Sequence, residues 1–427
     1  AGQPVAHRLV KAPFEGALYC SQMVYRPALL HERVALALSI VKTHKAAHQQ
    51  LHTPKNIRPK FIHNGPELEA APKGNTMSLQ PNIAQQKNKQ VENIRAFIRE
   101  HMDKDRVPGL SLAVLRHGVP LLLEGYGYAD LEHKVPATPE TLYQIASVSK
   151  QFVATAIMLL AEEGKLALDD PIVGYFHDAP AIWQPITIRH LLTHTSGIVR
   201  DGLADYWKRP EAMHLDYDYP EMYAIIAGRE LDFATGEKCS YSNSGYFLLG
   251  LIIEQITGQT LNEVLTERIF APLGMNATRI NDPLAILPNR ATGYALAEGE
   301  GWRKPPYIGL RHHFANGGLV STAVDLAKWD AALYGDGLLP QVRLQEMWTP
   351  QLLIDGTPTD RGLGWVISDF EGHRRIHHSG LLPGFASHIS RFIDDGITAI
   401  VLTNSQFDWT ANAPADYAEE IAKLFFE

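Results

Sequence analysis

Ser147 and Lys150 stand three residues apart in the run Ser147-Val148-Ser149-Lys150, at the head of a segment with helical apolar spacing. Three residues is about one helical turn, so the hydroxyl and the amine share a face. An amine within reach of a hydroxyl is a way to activate a weak nucleophile. A helix beginning at Ser147 would also set its hydroxyl at the positive end of the macrodipole, which favours a developing alkoxide. Lys150 points inward from a helix entering a core. Desolvation there lowers an amine's pKa and lets it act as a base or proton shuttle. Taken alone, the pair reads more simply as an N-cap serine and a solvated first-turn lysine. Ser149 is adjacent to Lys150 and does not share its face.

A serine nucleophile also needs an oxyanion hole and groups that hold a substrate, and two other places in the chain offer them. Tyr241-Ser242-Asn243 lies in the polar segment from Cys239 to Gly245. In an extended segment residues i and i+2 project on one side. The phenol of Tyr241 could then relay a proton, and the amide of Asn243 could hold a substrate carbonyl or the lysine. By itself Ser-Asn-Ser-Gly is turn chemistry. His378-Ser379-Gly380 ends a predicted strand and is followed by Leu381-Leu382-Pro383-Gly384. A glycine within a strand often marks close approach of a ligand or another backbone. An edge strand here could bind substrate by backbone pairing, and one of its N–H groups could complete an oxyanion hole with that of Ser147. By itself His378 is a strand histidine with no catalytic task.

The elements that must position these residues follow from periodicity. Val91 to Met102 carries a helical stripe, and Leu110 to Leu115 and Leu121 to Tyr128 are apolar runs around a His117-Gly118 turn, the pattern of a hairpin. Asp130 to Leu142 reads as loop. From Ser147 the pattern turns helical and stops at Gly164. The chain then reads mostly as helices and loops to about residue 350, with Leu248 to Ile256 and Val324 to Leu333 the clearest helices. Short strand runs return at Gly364 to Ser368, Arg374 to His378, Ala386 to Phe392 and Ile397 to Asn404. An amphipathic helix closes the chain from Ala415 to Phe426. The expected fold class is α+β, an α/β sandwich. One antiparallel sheet is built from both chain ends, flanked by helices, with a mostly helical domain inserted. The expected division is a sheet domain of residues 85–146 plus 355–427, a helical domain of 147–354, and the active site between them.

The first 80 residues stand apart. Residues 1–76 hold 10 Lys+Arg against 4 Asp+Glu, a net of +6, while the remainder carries −14. Their apolar residues keep no sustained period and prolines recur from Pro54 to Pro72. They read as a basic appendage or disordered leader, with the core protein expected to start near Met77.

Ser-x-x-Lys, then Tyr-x-Asn, then His-Ser-Gly, in that order, resembles the serine β-lactamase and penicillin-binding-protein superfamily. More narrowly it is similar to the branch holding class C β-lactamases, D-Ala-D-Ala carboxypeptidases, D-aminopeptidases and family VIII esterases. Val107-Pro-Gly-Leu-Ser-Leu-Ala-Val114, Thr141 to Ile157, His190-Leu-Leu-Thr-His-Thr-Ser-Gly197, Gly317-Gly-Leu-Val-Ser-Thr322 and Gly362-Leu-Gly-Trp365 look like that branch's other hallmark segments. The resemblance covers roughly residues 90–425. It implies acylation of Ser147, proton transfer shared by Lys150 and Tyr241, and substrate contacts from Asn243, His378, Ser379 and Gly380. It also implies an oxyanion hole from the N–H groups of Ser147 and Leu381. The third motif commonly reads Lys-Thr-Gly in β-lactamases; a histidine there looks more like certain D,D-peptidases and D-aminopeptidases. Neutral histidine gives no fixed positive charge. Leu381 and Leu382 stand where small residues are common, and are expected to crowd the strand edge with apolar bulk. The tryptophan-led third motif of many family VIII esterases is missing.

The expected activity is hydrolysis of amide or ester bonds, in a β-lactam or a D-amino-acid peptide, through an acyl-enzyme. A carboxylesterase for short acyl esters is one alternative; a non-catalytic penicillin-binding sensor or scaffold is another. The expected partner is a small molecule or short peptide. A net charge of −8 gives nucleic acid no general support. No run reaches the roughly 18 apolar residues of a membrane span, and Val34 to Val41 lies too deep and lacks the cleavage site of a signal peptide. Compartment and oligomeric state stay open. Cys20 and Cys239 form no disulfide framework or zinc spacing. His190 and His194 have a zinc-like spacing without a third ligand, and His44/His48, His312-His313 and His377-His378 are set aside likewise. No phosphate loop, dinucleotide fingerprint or Gly-x-Ser-x-Gly elbow is present. No metal or cofactor is expected.

Overall fold

Period-two apolar runs from the two ends of the chain meet in one sheet. Its strands are β1 (Gly109–Arg116), β2 (Val119–Asp130), β3 (Val135–Pro136), β9 (Val366–Phe370), β10 (His373–Leu382), β11 (Phe385–Phe392) and β12 (Ile397–Thr403). They lie in the order β3-β2-β1-β12-β11-β10-β9, each antiparallel to its neighbour. The computed structural model describes residues 80–201, 214–297, 301–309, 313–406 and 413–426. Residues 1–79 of the basic leader lie outside them. Residues 75–427 form one compact unit.

Alternation assigns the two faces of the sheet. Leu110, Leu112, Val114 and Val401 face the terminal helices, packing on Ile94 and Ile98 of the Gln80–Lys104 helix and on Tyr417 and Ile421 of the Ala413–Lys423 helix. Ala113, Leu115, Ile389, Ile400 and Leu402 face the opposite way into the main core. Because both faces of β11 and β12 are covered, neither strand shows an exposed polar side.

The main core is closed by helices, chiefly Lys150–Glu162, Asn243–Thr257 and Ala323–Ala332. The first is buried almost all round, the signature of a helix inside a core. Its Phe152 sits between Phe270 and Trp329, with ring centroids 5.4 and 4.6 Å away. Each such fully buried side chain contributes about 1.5–3 kcal/mol. That burial drives the lysine at the head of the helix into the interior.

The stretch expected to be helices and loops also holds small sheets. β4 (Tyr143–Gln144), β5 (Arg279–Ile280) and β8 (Leu319–Ser321) form one, in the order β4-β8-β5. β6 (Tyr294–Ala297), β7 (Gly301–Arg303) and β13 (Ser405–Gln406) form another. β3 likewise lies inside the expected loop from Asp130. Strands of two to four residues are too short to show a period. The strand expected from Gly364 begins at Val366 because Gly364 has φ +81° and lies against the helix start, where an added Cβ would meet Ala154 Cβ at 2.7 Å and Lys150 O at 3.0 Å. No described helix is long and apolar enough to cross a membrane.

Candidate active site

Ser147 is held on a pinned turn. Ala146–Ser149 is a 3₁₀ turn and the α-helix proper begins at Lys150, so the helix does not start at Ser147 as expected. Ala146 has φ +46°, a left-handed conformation that costs roughly 1–2 kcal/mol in a residue with a Cβ. The surroundings impose it. Ile145 N–H donates to Leu319 O at 3.0 Å, and Ser387 Oγ donates to Ile145 O at 2.7 Å. Ser149, fully buried, donates to Ala146 O at 2.6 Å and accepts from Leu319 N–H at 3.2 Å. Ser149 is therefore part of the scaffold, and the partly exposed Ser147 is the hydroxyl presented.

Lys150 is completely buried, and its amine has three oxygen neighbours. Asn243 Oδ1 lies at 2.9 Å, the backbone oxygen of Asn316 at hydrogen-bond distance, and Ser147 Oγ at 3.2 Å. Burial holds its pKa well below the ordinary lysine value; nearby Asp201 opposes this, and Arg200 and Arg361 reinforce it. A neutral amine has two N–H groups and one lone pair. Two of the neighbours are carbonyl oxygens, which only accept. With both N–H groups committed to them, the lone pair is left for Ser147. The orientation of the Asn243 amide is fixed by its other end, where Nδ2 donates to Asp201 Oδ1 at 2.8 Å.

Tyr241 and Asn243 converge on Lys150, with Ser242 between them extended at φ −125° and ψ 114° just before a helix begins. Asn243 is the first residue of the Asn243–Thr257 helix, and Ser242 caps it by accepting from Gly245 N–H at 3.0 Å. The Ser-Asn-Ser-Gly signal thus marks a helix start. The Tyr241 phenol lies beside the Ser147 side chain, and its ring centroid lies 4.8 Å from Lys150 Nζ. Burial pushes its pKa up to about 12, so the phenol keeps its proton at neutral pH. His194 lies under the ring, centroid to centroid 4.5 Å, and its Nδ1 accepts from Ser242 N–H at 3.1 Å. His190 caps its own short helix through Thr187. These two histidines have separate structural tasks.

The strand motif meets the turn through backbone. Gly380 is required by space: an added Cβ would lie 2.2 Å from Ile145 O and 2.4 Å from Ser387 Oγ. β10 and β11 are closed by a two-residue Pro383-Gly384 turn with Leu382 opposite Phe385. In such a hairpin the closing pair exchanges hydrogen bonds, and alternation then turns the N–H of Leu381 away from β11. β9 pairs only as far as His377, so that N–H faces the edge β9 leaves uncovered. This orientation suits an oxyanion donor. The side chains of Leu381 and Leu382 go to opposite faces, which corrects the expected apolar crowding. Leu382 packs with Ala146 and Ile308 on the site face, and Leu381 points toward the terminal helices' side.

His378 is on the site face, fully enclosed, with its ring 6.2 Å from that of Tyr241. Burial pushes its pKa down to about 3, so it is neutral. Its Nδ1 lies 2.7 Å from Ser379 O, which makes Nδ1 the protonated nitrogen. Ser379 Oγ lies 2.8 Å from Nδ1 of His388, a buried histidine whose pKa is also pushed down to about 3. The sequence reading missed Arg200, Asp201, Asn316 and Arg361. Arg200-Asp201 follows the His190–Gly197 segment after Ile198 and Val199, and Arg361 directly precedes Gly362-Leu-Gly-Trp365, so nearness to hallmark segments was the available signal.

The family model described as Beta-lactamase matches residues 94–423. Penicillin-binding protein 4* of Bacillus subtilis (strain 168) is 31% identical over 346 residues, covering 76% of this chain and 74% of that protein. The D-aminopeptidase of Brucella ovis is 29% identical over 324 residues; the match takes in 74% of this chain and spans 60% of the relative's length. Among solved structures, the D-amino acid amidase from Ochrobactrum anthropi SV3 complexed with D-phenylalanine superposes with a TM-score of 0.70 at 28% identity, covering 79% of this chain and 98% of that one. The octameric penicillin-binding protein homologue from Pyrococcus abyssi gives 0.68 at 31% identity, covering 78% and 77%.

Proposed function

The chain belongs to the beta-lactamase family and is a serine hydrolase, and we propose that it acylates Ser147 and cleaves amide bonds in D-amino-acid peptides or amides. One observation carries the assignment of roles: the buried Lys150 amine has two carbonyl acceptors and the Ser147 hydroxyl around it. Lys150 takes the Ser147 proton as Oγ attacks the substrate carbonyl. The N–H groups of Ser147 and Leu381 receive the oxyanion. Tyr241, protonated at neutral pH, hands a proton to the leaving nitrogen as the C–N bond breaks, and Lys150 restores it. An ester on Ser147 remains, which water hydrolyses with Lys150 again as base. Asn243 orients Lys150, and His378 closes the site beside Tyr241 without adding charge.

The D-amino-acid preference is supported by the D-aminopeptidase and D-amino acid amidase among the relatives, and by the neutral His378 at the third motif. Kinetic comparison of D-phenylalanine amide, L-phenylalanine amide, nitrocefin and p-nitrophenyl butyrate tests the reading. The D-amide should have the highest kcat/KM and the L-amide at least tenfold less. An enzyme that turns over the butyrate ester and neither amide would be an esterase, and the proposal would fall.

A further inference from the structure

Four aromatic rings and two carboxylates line one cleft away from the catalytic residues. Tyr175 and Phe176 are adjacent in the chain, and Tyr219 and Tyr223 stand one turn apart on the Tyr219–Ala227 helix; Asp178 and Glu254 supply the carboxylates. The cleft has a volume of about 620 Å³, within the range of small-molecule sites. Glu254 lies on the Asn243–Thr257 helix, eleven residues beyond Asn243. At 1.5 Å per residue that is roughly 16 Å along the axis, so the cleft is separate from the site around Lys150.

The rings are half-buried and held in place by packing. Phe176 lies 5.1 Å from Tyr223, which meets the buried Trp183 edge-on at 6.0 Å. Tyr175 donates to Asp170 at 3.1 Å and Tyr223 to Asp178 at 3.0 Å. A phenol that donates to a carboxylate has an electron-richer ring, and an electron-rich ring face attracts a cation. The charge of the cleft is one-sided. Among the described residues its lining holds no lysine or arginine, and His177 is exposed and lies beside Asp178. Glu254 accepts from Leu261 N–H at 2.8 Å through one oxygen; among the described residues no hydrogen bond or ion pair reaches the other. Burial raises the pKa of that carboxyl, a cost that a cation bound beside it would offset. Carboxylates set among aromatic rings, with no fixed positive charge, complement an organic ammonium better than an anion or a neutral solute.

We propose that this cleft binds an organic ammonium ion, its cationic head held against the tyrosine rings and Glu254. The site is independent of the acyl-enzyme reading. Isothermal titration of the full chain with choline chloride, and with its uncharged carbon isostere 3,3-dimethylbutan-1-ol, tests it. Choline should bind at one site per chain, and the isostere about tenfold or more weakly. Glu254→Gln keeps an acceptor for Leu261 N–H and removes the charge, and should weaken choline binding about three- to tenfold. Tyr223→Leu should weaken it by a similar factor, while Tyr223→Phe, which keeps the ring, should retain most of the affinity. Glu254→Gln carries the test alone if Tyr223→Leu does not fold. Equal binding of the isostere, no saturable binding of choline, or wild-type affinity in Glu254→Gln would overturn the site.

Discussion

The two halves of the site are held together by different means. In the helical half Ser147, Lys150, Asn243 and Asp201 are joined atom to atom, each within 3.2 Å of the next. In the strand half, among the described residues, His378, Gly380 and Leu382 on the site face are not joined to one another in this way. His378 bonds the carbonyl of its own neighbour, Gly380 fits because it has no side chain, and Leu382 packs on Ala146 and Ile308. The helical half fixes where protons go. The strand half fixes how far a backbone edge stands from the nucleophile. Loss of one hydrogen-bonded atom should therefore stop chemistry in the first half, and change of volume should misplace it in the second.

The largest effect belongs to the helical half. Ser147→Ala should reduce kcat/KM by at least ~10⁴-fold with the thermal midpoint little changed, since Ser147 is partly exposed and the change removes one oxygen without opening a core cavity. Next is Lys150→Ala, with a loss of ~10²–10⁴-fold, the range of general-base catalysis. The wild-type rate should rise with pH along a limb lying below the ordinary lysine value, because Lys150 must lose its proton to act and burial lowers its pKa. That limb should vanish in Lys150→Ala. A limb that persists there would assign the base elsewhere.

In the strand half, Gly380→Ala should lower activity by ~10–10²-fold and stability by about 1–3 kcal/mol, the usual cost of overpacking. The added Cβ has backbone oxygen at 2.2 Å, which a rotamer change cannot relieve. A stable, fully active Gly380→Ala protein would show that the spacing of strand and turn is not what aligns the site.

The smallest effect concerns acid stability. His378 and His388 both titrate near pH 3 when folded, against about 6.5 when exposed. Between those values the unfolded chain binds the extra protons, so stability is full above about pH 6.5 and falls as pH drops toward 3. His388→Phe should flatten this limb by about one proton in a urea-melt series across pH, with little change in kcat at pH 8. An unchanged slope would mean that His388 is not kept neutral by the fold.

What could be read from the sequence follows the same division. The sheet from both chain ends and the covering helices were legible because their apolar periods are long. Lys150, Tyr241 and Asn243 were legible because their residue types carry the chemistry themselves. Asn316 was not, since it contributes a backbone oxygen that any residue could supply. Arg200-Asp201 and Arg361 come from two loops far apart in the chain, and a sequence has no spacing signal for groups that meet only in the fold. The strand half suffered most. Leu381 and Leu382 were read together as crowding one edge, although strand alternation parts their side chains to opposite faces. Ser379 was grouped with the substrate contacts by its place in the motif, and the structure gives its hydroxyl to His388.

The central claim is that Ser147 is acylated because the buried Lys150 amine takes its proton. Peptide mapping by mass spectrometry after reaction with a fluorescent penicillin tests it most directly, on the wild type and Lys150→Ala side by side at pH 8. The account predicts one adduct per chain on the peptide containing Ser147 in the wild type, and none in Lys150→Ala over the same time. An adduct on another residue, equal labelling of the two proteins, or no adduct in the wild type would contradict it.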